Sequence, residues 1–287
     1  MNRLGVLGWP VGHSRSPAMH NAALAELGLA DWHYQRLPVP SALFEQAAVA
    51  LGGSGFLGAN VTIPHKQAAL VLADEASVAA RAIGAANTLS YRPEGSITAE
   101  NTDAPGLIEA LDMDIRGIRA LVLGAGGSAR AAVWALQQAG ASEVSIWNRT
   151  PERAGALARE LGARAVRTPG PGDLLVNCTS VGLEGPFEAS GVERSATEGQ
   201  ALNQLGLTFD QLGEYSNVAD LVYRSTPTPL LAAASEQGSR TVDGLQILIA
   251  QGALSFELWT GREAPRGVMA RVARAQEQDS RAEDRTD

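Results

Sequence analysis

Lysine is all but missing from this sequence. Lys66 is the only one, against 22 arginines in 287 residues. Cysteine is as scarce. Cys178 stands alone, so no intramolecular disulfide can form, and with four scattered histidines it makes no metal-ligand spacing. No metal is expected, and a reducing cytoplasm is the expected location. Long apolar runs are missing too: nothing reaches the roughly 18 residues of a membrane span. The opening "MNRLGVLGWP" has too short an apolar run for a signal peptide, and no small-residue cleavage site follows it. Nor is there a basic excess. The net charge is −8 and the pI about 5.1, which argues against nucleic acid as a partner but not against a small anion met by a local patch. Solenoid repeats are absent, and the one biased segment is the polar tail 273–287, expected to fray.

What is there is an α/β pattern. The length exceeds the usual single domain, so two domains are expected. Short apolar strands alternate with helix-period segments almost throughout. "RLGVLG" (3–8), "HYQRLPV" (33–39) and "GFLGANVT" (55–62) read as strands. "SPAMHNAALAELG" (16–28) reads as a helix with Ser16 as N-cap, Pro17 at the first helical position and Gly28 at the end. "SALFEQAAVALGG" (41–53) reads as a second helix, and "ANTLSYRPEGSITAEN" (86–101) as a hairpin turning on "RPEG". From residue 119 a second unit runs strand, glycine turn, helix, strand, and the alternation continues to "VADLVY" (218–223). Residues 183–217 carry few strand signals and are expected as an extended loop with some helix. "LQILIAQGALSFELWTG" (245–261) is apolar and long enough for a buried helix.

"VLGAGGSAR" (122–130) follows a predicted strand and opens a predicted helix. Gly124, Gly126 and Gly127 allow a tight turn and a close approach of backbone to a pyrophosphate, which the helix N-terminus attracts. The plain alternative is a strand-to-helix turn with no ligand. The end of the next strand discriminates further. An NAD site places an acid about 20 residues on, to hold the ribose 2′-hydroxyl. Here "EVSIW" ends in Asn148-Arg149-Thr150. An acid would repel a 2′-phosphate, whereas Arg149 offers it a planar fork of donors. NADP is favoured over NAD. Thr150 also stands where a helix N-cap would, ahead of Pro151, so its role is open between cap and ligand.

The first half holds polar clusters that a nucleotide domain does not explain. "GHSRSP" (12–17) packs two serines and an arginine at a strand-to-helix turn, which suits a carboxylate, or only a capped helix. "GANVT" ends a strand with Asn60 and Thr62, and strand ends of open α/β sheets are where ligands bind. "AANTL" puts Asn87 at a strand start. "ENTD" brings Asp103 to the junction of the halves, where it could equally cap the helix "APGLIEALD". Lys66 differs from an arginine in one chemical respect. Its ammonium can lose a proton when its surroundings lower its pKa, and a guanidinium effectively never does. A group that gives and takes a proton in each turnover can be a lysine and not an arginine. General depletion of lysine, leaving one by chance on a helix start, is the bland alternative. A nearby carboxylate such as Asp103 would hold the ammonium.

Together these segments resemble the shikimate dehydrogenase family, from about residue 5 to residue 260. "GWPVGHSRSPAMHNAAL", "GANVTIPHK", "GAANTL", "NTDAPG", "VLGAGGSARA" with "NRT", "NCTSVG", "DLVYRSTPTPLL" and "DGLQILIAQGALSFELW" stand in the family's order. The resemblance implies an N-terminal α/β substrate domain (1–103 plus 243–287) and a doubly wound, Rossmann NADP-binding domain (104–242) around a cleft. It implies reversible, NADPH-dependent reduction of 3-dehydroshikimate to shikimate in aromatic amino-acid biosynthesis. Residue by residue, it implies Lys66 and Asp103 as the catalytic pair, and Ser14, Ser16 and Tyr223 on the substrate carboxylate. Asn60, Thr62, Asn87 and Gln251 would bind ring hydroxyls. Gly124, Ala125, Gly126, Gly127, Ser128 and Ala129 would line the pyrophosphate, and Asn148, Arg149 and Thr150 the 2′-phosphate. Gly244, and Thr179 in the segment 179–182, would border the nicotinamide. Gln251 is preferred to Gln246 because it stands at the glutamine of the family's "LVxQ" pattern. Two positions depart from that pattern: Leu183, where methionine is usual, and Arg224, where asparagine is usual. A quinate-accepting relative using NAD is the nearest alternative, and the missing ribose acid and the two serines argue against it. A folate dehydrogenase and a non-catalytic NADP sensor lie further off. A monomer or homodimer acting on a small molecule is expected, with no nucleic-acid or membrane partner.

Overall fold

A computed structural model describes residues 1–183, 194–224 and 226–283. The chain forms two compact units, Met1–Gly106 with Leu248–Asp287, and Leu107–Ile247.

The first unit opens with β1 (Asn2–Gly8), α1 (Ser16–Glu26), β2 (Trp32–Pro38), α2 (Phe44–Gly53) and β3 (Phe56–Val61). It continues with α3 (Lys66–Leu72), β4 (Glu75–Ala76), α4 (Val78–Ile83), β5 (Thr88–Tyr91), β6 (Ile97–Glu100) and the start of α5 (Asp103–Leu111). The strands form one sheet in the order β2-β1-β3-β5-β6-β4. β1 lies parallel to β2 and β3, and β5 runs antiparallel to β3 and β6. The register sets Asn60 opposite Thr88, and Thr88 opposite Glu100. Side chains alternate along a strand. Ala59 and Val61 join Leu7, Phe44 and Leu89 in an apolar core, which puts Asn60 on the other face. Gly58 shares that face, and a Cβ there would collide with the Trp259 indole. The indole instead lies close over β3 and donates to Leu89 O at 3.1 Å.

The second unit holds β7 (Arg119–Leu123), α6 (Gly127–Gln138), β8 (Glu143–Trp147), α7 (Pro151–Leu161), β9 (Arg164–Ala165) and β10 (Leu174–Asn177). α8 (Arg194–Gln204), α9 (Phe209–Leu212), β11 (Asn217–Asp220), α10 (Pro229–Glu236) and β12 (Arg240–Val242) follow. Its strands are all parallel, in the order β12-β11-β10-β7-β8-β9. That is a doubly wound sheet whose order reverses between β7 and β10. Both faces are apolar, as a parallel sheet between helices requires. Val122, Ile146 and Val176 pack with Val133 and Leu136 of α6 on one side. Leu121, Leu175 and Val218 pack with Leu202, Leu212 and Leu230 on the other.

Residues 194–217, expected mostly as extended loop, are largely α8 and α9. Leu202, Leu205, Leu207 and Leu212 are buried there, and Thr208 with Gln211 closes a capping box on α9. Residues 184–193 of that stretch lie outside the described residues. α11 (Gly244–Thr260) and α12 (Arg266–Glu283) close the chain. α12 packs on α1 through buried Met269 and Ala273, and Arg15 donates to Ala273 O at 2.9 Å. The tail expected to fray from residue 273 is therefore helical through Glu283. Its alanine, arginine, glutamine and glutamate are strong helix formers. Residues 284–287 lie outside the described residues. A further correction concerns Ser16, which is the first residue of α1 and not its cap. Arg15 holds the cap position with helical dihedrals, and Ser14 Oγ accepts the Ser16 N–H at 3.3 Å.

His20 of α1 is fully buried, stacked on Tyr34 with ring centroids 4.2 Å apart, and among the described residues neither ring nitrogen has a hydrogen-bond partner. Burial pushes its pKa from 6.5 down to about 3. A base that the fold keeps neutral is protonated first in the unfolded chain. Its contribution to stability is complete above pH 6.5 and is lost as the pH falls toward 3, by up to ~1.4 kcal/mol per pH unit. Asp220 acts with the opposite sign. Burial raises its carboxyl to about 6, so its contribution is complete below the unfolded value and is lost as the pH rises through 6. In His20→Phe the ring stack remains and the titrating group is gone. Urea melts of the two proteins between pH 4 and 7 cancel Asp220 in the difference. The variant is expected to lose roughly one proton's worth of acid sensitivity, and an unchanged slope would refute the role given to His20.

Candidate active site

Lys66 is the first residue of α3, and the loops around it are tied down. Thr62 N–H donates to Leu7 O and Trp9 N–H to Ile63 O, which joins the chain after β3 to the chain after β1. His65 is buried, stacks on Phe44 at 4.4 Å and bonds through Nε2 to Val39 O at 2.7 Å. Burial holds the His65 pKa below its ordinary value, outweighing that hydrogen bond. The following Lys66 Nζ meets Asp103 Oδ2 at 2.6 Å, with the two side chains only 11% and 14% exposed. Asp103 opens α5, but Asn101 makes the cap bond there, its Oδ1 accepting Ala104 N–H at 3.1 Å. The Asp103 carboxylate is left for Lys66 and for Asn87, whose Nδ2 donates to Oδ1 at 2.9 Å.

Gln251 reaches the same point from α11. Its Oε1 lies 3.2 Å from Asn87 Nδ2. Gly106 permits this approach, since a Cβ there would lie 2.7 Å from Gln251 N. Gln246 is exposed and exchanges hydrogen bonds with Asp243. Asn60 is buried and bonded to Tyr34, Thr88 and the Asn87 carbonyl. Thr62 is half-buried, and among the described residues its hydroxyl has no partner. Ser14 and Ser16 are buried at the start of α1, where Arg36 grips Ser14 O through Nε and Nη2 at 3.1 and 2.7 Å. All eight of these expected site residues belong to the first unit. The structure joins Lys66, Asp103, Asn87 and Gln251 in one hydrogen-bonded cluster, and Asn60 reaches it through Asn87 and Thr88.

The remaining expected residues lie in the second unit. Gly124 follows β7 with φ +112°, and a Cβ there would come within 3.3 Å of the Cys178 carbonyl carbon and oxygen, at the switch point of the sheet. Gly126 caps α6 without a side chain. The first amides of a helix have no intrahelical partner, and beside Ala125, Gly127, Ser128 and Ala129 they can approach a phosphate closely. Asn148 Nδ2 donates to Thr150 O at 2.9 Å, shaping the turn after β8. Thr150 holds the cap position of α7 but makes no side-chain cap bond. Arg149 is exposed and, among the described residues, unpaired. Small residues at the turn and a free cation at the next strand end fit a 2′-phosphorylated dinucleotide. A hollow of about 480 Å³ lined by Arg119, Glu143, Arg164 and Arg167 lies at the opposite, amino ends of these strands, with Arg119 and Arg164 already facing Asp173 and Glu143. It is not the nucleotide site.

Asp220 and Asn177 were not among the expected residues. Asp220 Oδ1 accepts from Asn177 Nδ2 at 2.8 Å and from Val222 N–H at 3.0 Å, while Oδ2 accepts from Thr228 Oγ1 at 2.6 Å. Asn177 Oδ1 takes the amide and hydroxyl of Thr179. These bonds fix the chain after β10 and after β11, where Thr179, Tyr223 and the departing Leu183 and Arg224 lie. Gly244 at the start of α11 would put a Cβ 2.6 Å from Leu221 O and Val222 O, so only glycine fits. The signal for Asp220 and Asn177 was a polar residue closing an apolar strand. Tyr34 and Arg36 on β2 gave no such signal. No group of histidine, cysteine and acidic residues able to hold a metal ion occurs among the described residues. Among them, too, no helix is long and apolar enough to cross a membrane.

Three family models match the chain: a shikimate dehydrogenase substrate binding domain over residues 6–89, a shikimate/quinate 5-dehydrogenase over 107–170 and a shikimate 5′-dehydrogenase C-terminal domain over 244–274. The chain is 42% identical over 286 residues to the NADP(+) shikimate dehydrogenase of Methanopyrus kandleri, covering 93% of each chain. It is 44% identical to an NADP(+) shikimate dehydrogenase of Thermus thermophilus, covering 91% of this chain and 93% of the relative. Its fold matches a shikimate 5-dehydrogenase from another strain of Thermus thermophilus, solved in complex with NADP(H) and shikimate. The TM-score is 0.83, with 41% identity over 96% of this chain and 99% of that one. With identity of this order along nearly its whole length, the chain belongs to the shikimate dehydrogenase family.

Proposed function

We propose that this chain catalyses the reversible reduction of 3-dehydroshikimate to shikimate, with NADPH as hydride donor, in the biosynthesis of aromatic amino acids. The first unit (1–103 plus 243–287 as read from the sequence) holds the substrate and the second (104–242) the dinucleotide. The observation that carries the reading is the lone lysine, paired at 2.6 Å with Asp103 inside a cluster of amides and hydroxyls. Composition supports a reducing cytoplasm, and the protein acts there as a monomer or homodimer on a small molecule.

When bound, NADPH supplies the hydride to the substrate carbonyl carbon. The chain manages the proton and the charge. Lys66 Nζ, as an ammonium, gives a proton to the oxygen that becomes the hydroxyl and stabilises the charge building there. In the reverse direction it takes that proton back. Asp103 Oδ2 keeps the ammonium aimed until transfer. Thr62 offers its free hydroxyl to the ring hydroxyls, and Asn87 and Gln251 turn to them the amides that here bond each other at 3.2 Å. Ser14 and Ser16, with Tyr223, take the carboxylate. The glycine turn 124–127, with Ser128 and Ala129, receives the pyrophosphate, and Asn148, Arg149 and Thr150 the 2′-phosphate. Thr179 and Gly244 border the nicotinamide.

Initial rates with shikimate and quinate, each with NADP and NAD, test the assignment. Shikimate with NADP is expected to give the highest kcat/KM, and preference for quinate or NAD would overturn it. Lys66→Ala should lower kcat at least about a hundredfold, the low end for lost general acid–base help, with a much smaller change in KM. Lys66→Arg should be equally poor, since it keeps the charge and loses the proton exchange. Thermal melting measured alongside separates lost chemistry from lost fold. Near-normal turnover in either variant would remove Lys66 from the mechanism. Arg149→Asp should raise the KM for NADPH about 10- to 100-fold, the worth of a charge-assisted hydrogen bond, and leave the KM for shikimate alone. Unmoved NADPH kinetics would show that Arg149 does not hold the phosphate.

A further inference from the structure

We infer that Tyr34, Asn60 and Thr88 form a hydrogen-bond relay that positions Asp103, and that Asn60 serves this relay rather than the substrate. The inference rests on Lys66 and Asp103 being the catalytic pair.

Backbone groups set the direction of the relay. Asn87 O can only accept, and it lies 3.2 Å from Asn60 Nδ2. This fixes which end of the Asn60 amide is nitrogen. Asn60 Oδ1 therefore faces Tyr34, and the Tyr34 hydroxyl must donate to it, at 2.8 Å. The other Asn60 Nδ2 hydrogen goes to Thr88 Oγ1 at 3.2 Å. Thr88 stands directly opposite Asn60 across the antiparallel β3–β5 pair, where side chains on one face meet. Thr102 N–H can only donate, and it reaches Asn87 Oδ1 at 2.7 Å. That fixes the second amide, with its Nδ2 toward Asp103 Oδ1 at 2.9 Å. Between the two amides, Thr88 Oγ1 passes its proton to Asn87 Oδ1 at 3.1 Å, or to Thr102 Oγ1, which lies 3.2 Å from the same Oδ1. Either route ends on Asn87. The two amides donate toward the Asp103 carboxylate and cannot reverse without breaking a bond to backbone; the Thr88–Thr102 hydroxyl pair can run either way, and Asn87 Nδ2 also reaches Thr102 Oγ1 at 2.9 Å.

Asn60 has no donor hydrogen left for a ligand. An amide side chain has two donor hydrogens and two acceptor lone pairs. Both hydrogens are used, and Oδ1 takes Tyr34; Ser255 Oγ lies 3.4 Å from Oδ1 but has the shorter acceptor Gly252 O at 3.0 Å for its one hydrogen. The far end is anchored by packing. Tyr34 is fully buried, and its ring lies parallel to His20, 5° off plane. Tyr34 and Thr88 are thus positioning residues: they set where Asp103 stands and, through it, where Lys66 points.

The test uses the full chain in four variants, with kcat and KM for shikimate at saturating NADP. Tyr34→Phe and Thr88→Val should each lower kcat about tenfold, as supporting groups behind a reactive one do, with KM for shikimate moving less than about threefold. Because both act through one relay, the double variant should be no worse than the poorer single one. Thr88→Ser, which keeps the hydroxyl, should recover most of the kcat lost in Thr88→Val. Unchanged kcat in both single variants, or losses that multiply in the double, would overturn the relay. A raised KM at constant kcat would return Asn60 to the substrate. If Tyr34→Phe fails to fold, the Thr88→Val and Thr88→Ser pair decides alone. Lys66→Ala measured beside them keeps the two readings apart. Full turnover there removes the catalytic pair itself, whereas lost turnover there with a normal Tyr34→Phe removes only the relay.

Discussion

The pairing of Lys66 with Asp103 at 2.6 Å is the interaction around which the first unit is arranged. Two charges that are close to buried cost several kcal/mol each in lost hydration, and attraction offsets this only when geometry is good and the remaining lone pairs are satisfied. The surrounding residues meet both conditions. Asn101 takes the cap bond of α5, which frees the Asp103 carboxylate. Asn87 fills the carboxylate's second oxygen. His65, stacked on Phe44 and bonded to Val39 O, fixes the first turn of α3 so that the lysine stem starts from a rigid point. Remove any of these and the pair becomes a burial cost without a defined direction.

The sheet register extends that order outward. Asn60 opposite Thr88 and Thr88 opposite Glu100 are consequences of antiparallel pairing, and they place polar groups side by side on the face opposite the apolar core. Asn60 and Thr88 are tolerated under α11 because each is bonded to a neighbour. Two glycines make the covering possible. Gly58 admits Trp259, and Gly106 admits the backbone of Gln251. A residue chosen for its lack of a side chain and a residue chosen for its amide thus belong to one solution. His20 is the exception within the same layer, with two unsatisfied nitrogens held neutral by burial.

How much of this was legible in the sequence depended on the kind of signal each residue gives. Lys66 was visible because composition isolated it, and Asp103 because a polar run stood at a junction. Gln251 was legible only through the family pattern, since nothing local separates it from Gln246; burial of one and exposure of the other is a tertiary fact. Ser16 was misread as a cap because serine before proline fits that role, while the structure gives the amide of Ser16 to Ser14 Oγ. The leucines of α8 and α9 were hidden among polar neighbours, and their core role follows from the face of the sheet they cover. Tyr34 gave no signal at all. A tyrosine in a strand reads as core, and what its hydroxyl meets depends on a strand pairing that sequence periodicity does not reveal.

The two units are built by different physics, and this decides what each tolerates. In the second unit the turn is built from backbone. Gly124 is required by a positive φ and by the closeness of the Cys178 carbonyl. Such demands are local, so they appear as glycines at fixed spacing and can be read without a fold. In the first unit the site is made from side chains whose hydrogen-bond directions are set by one another. An amide is correctly oriented there only because a carbonyl or an N–H on another strand makes the reverse orientation unsatisfied. A backbone cradle accepts any residue that keeps the dihedrals. A directional side-chain network accepts almost none, because exchanging one donor for an acceptor leaves a buried group unpaired at a cost of about 1–3 kcal/mol. Discrimination between closely similar polyhydroxylated substrates needs the second kind of site, and a common dinucleotide needs only the first.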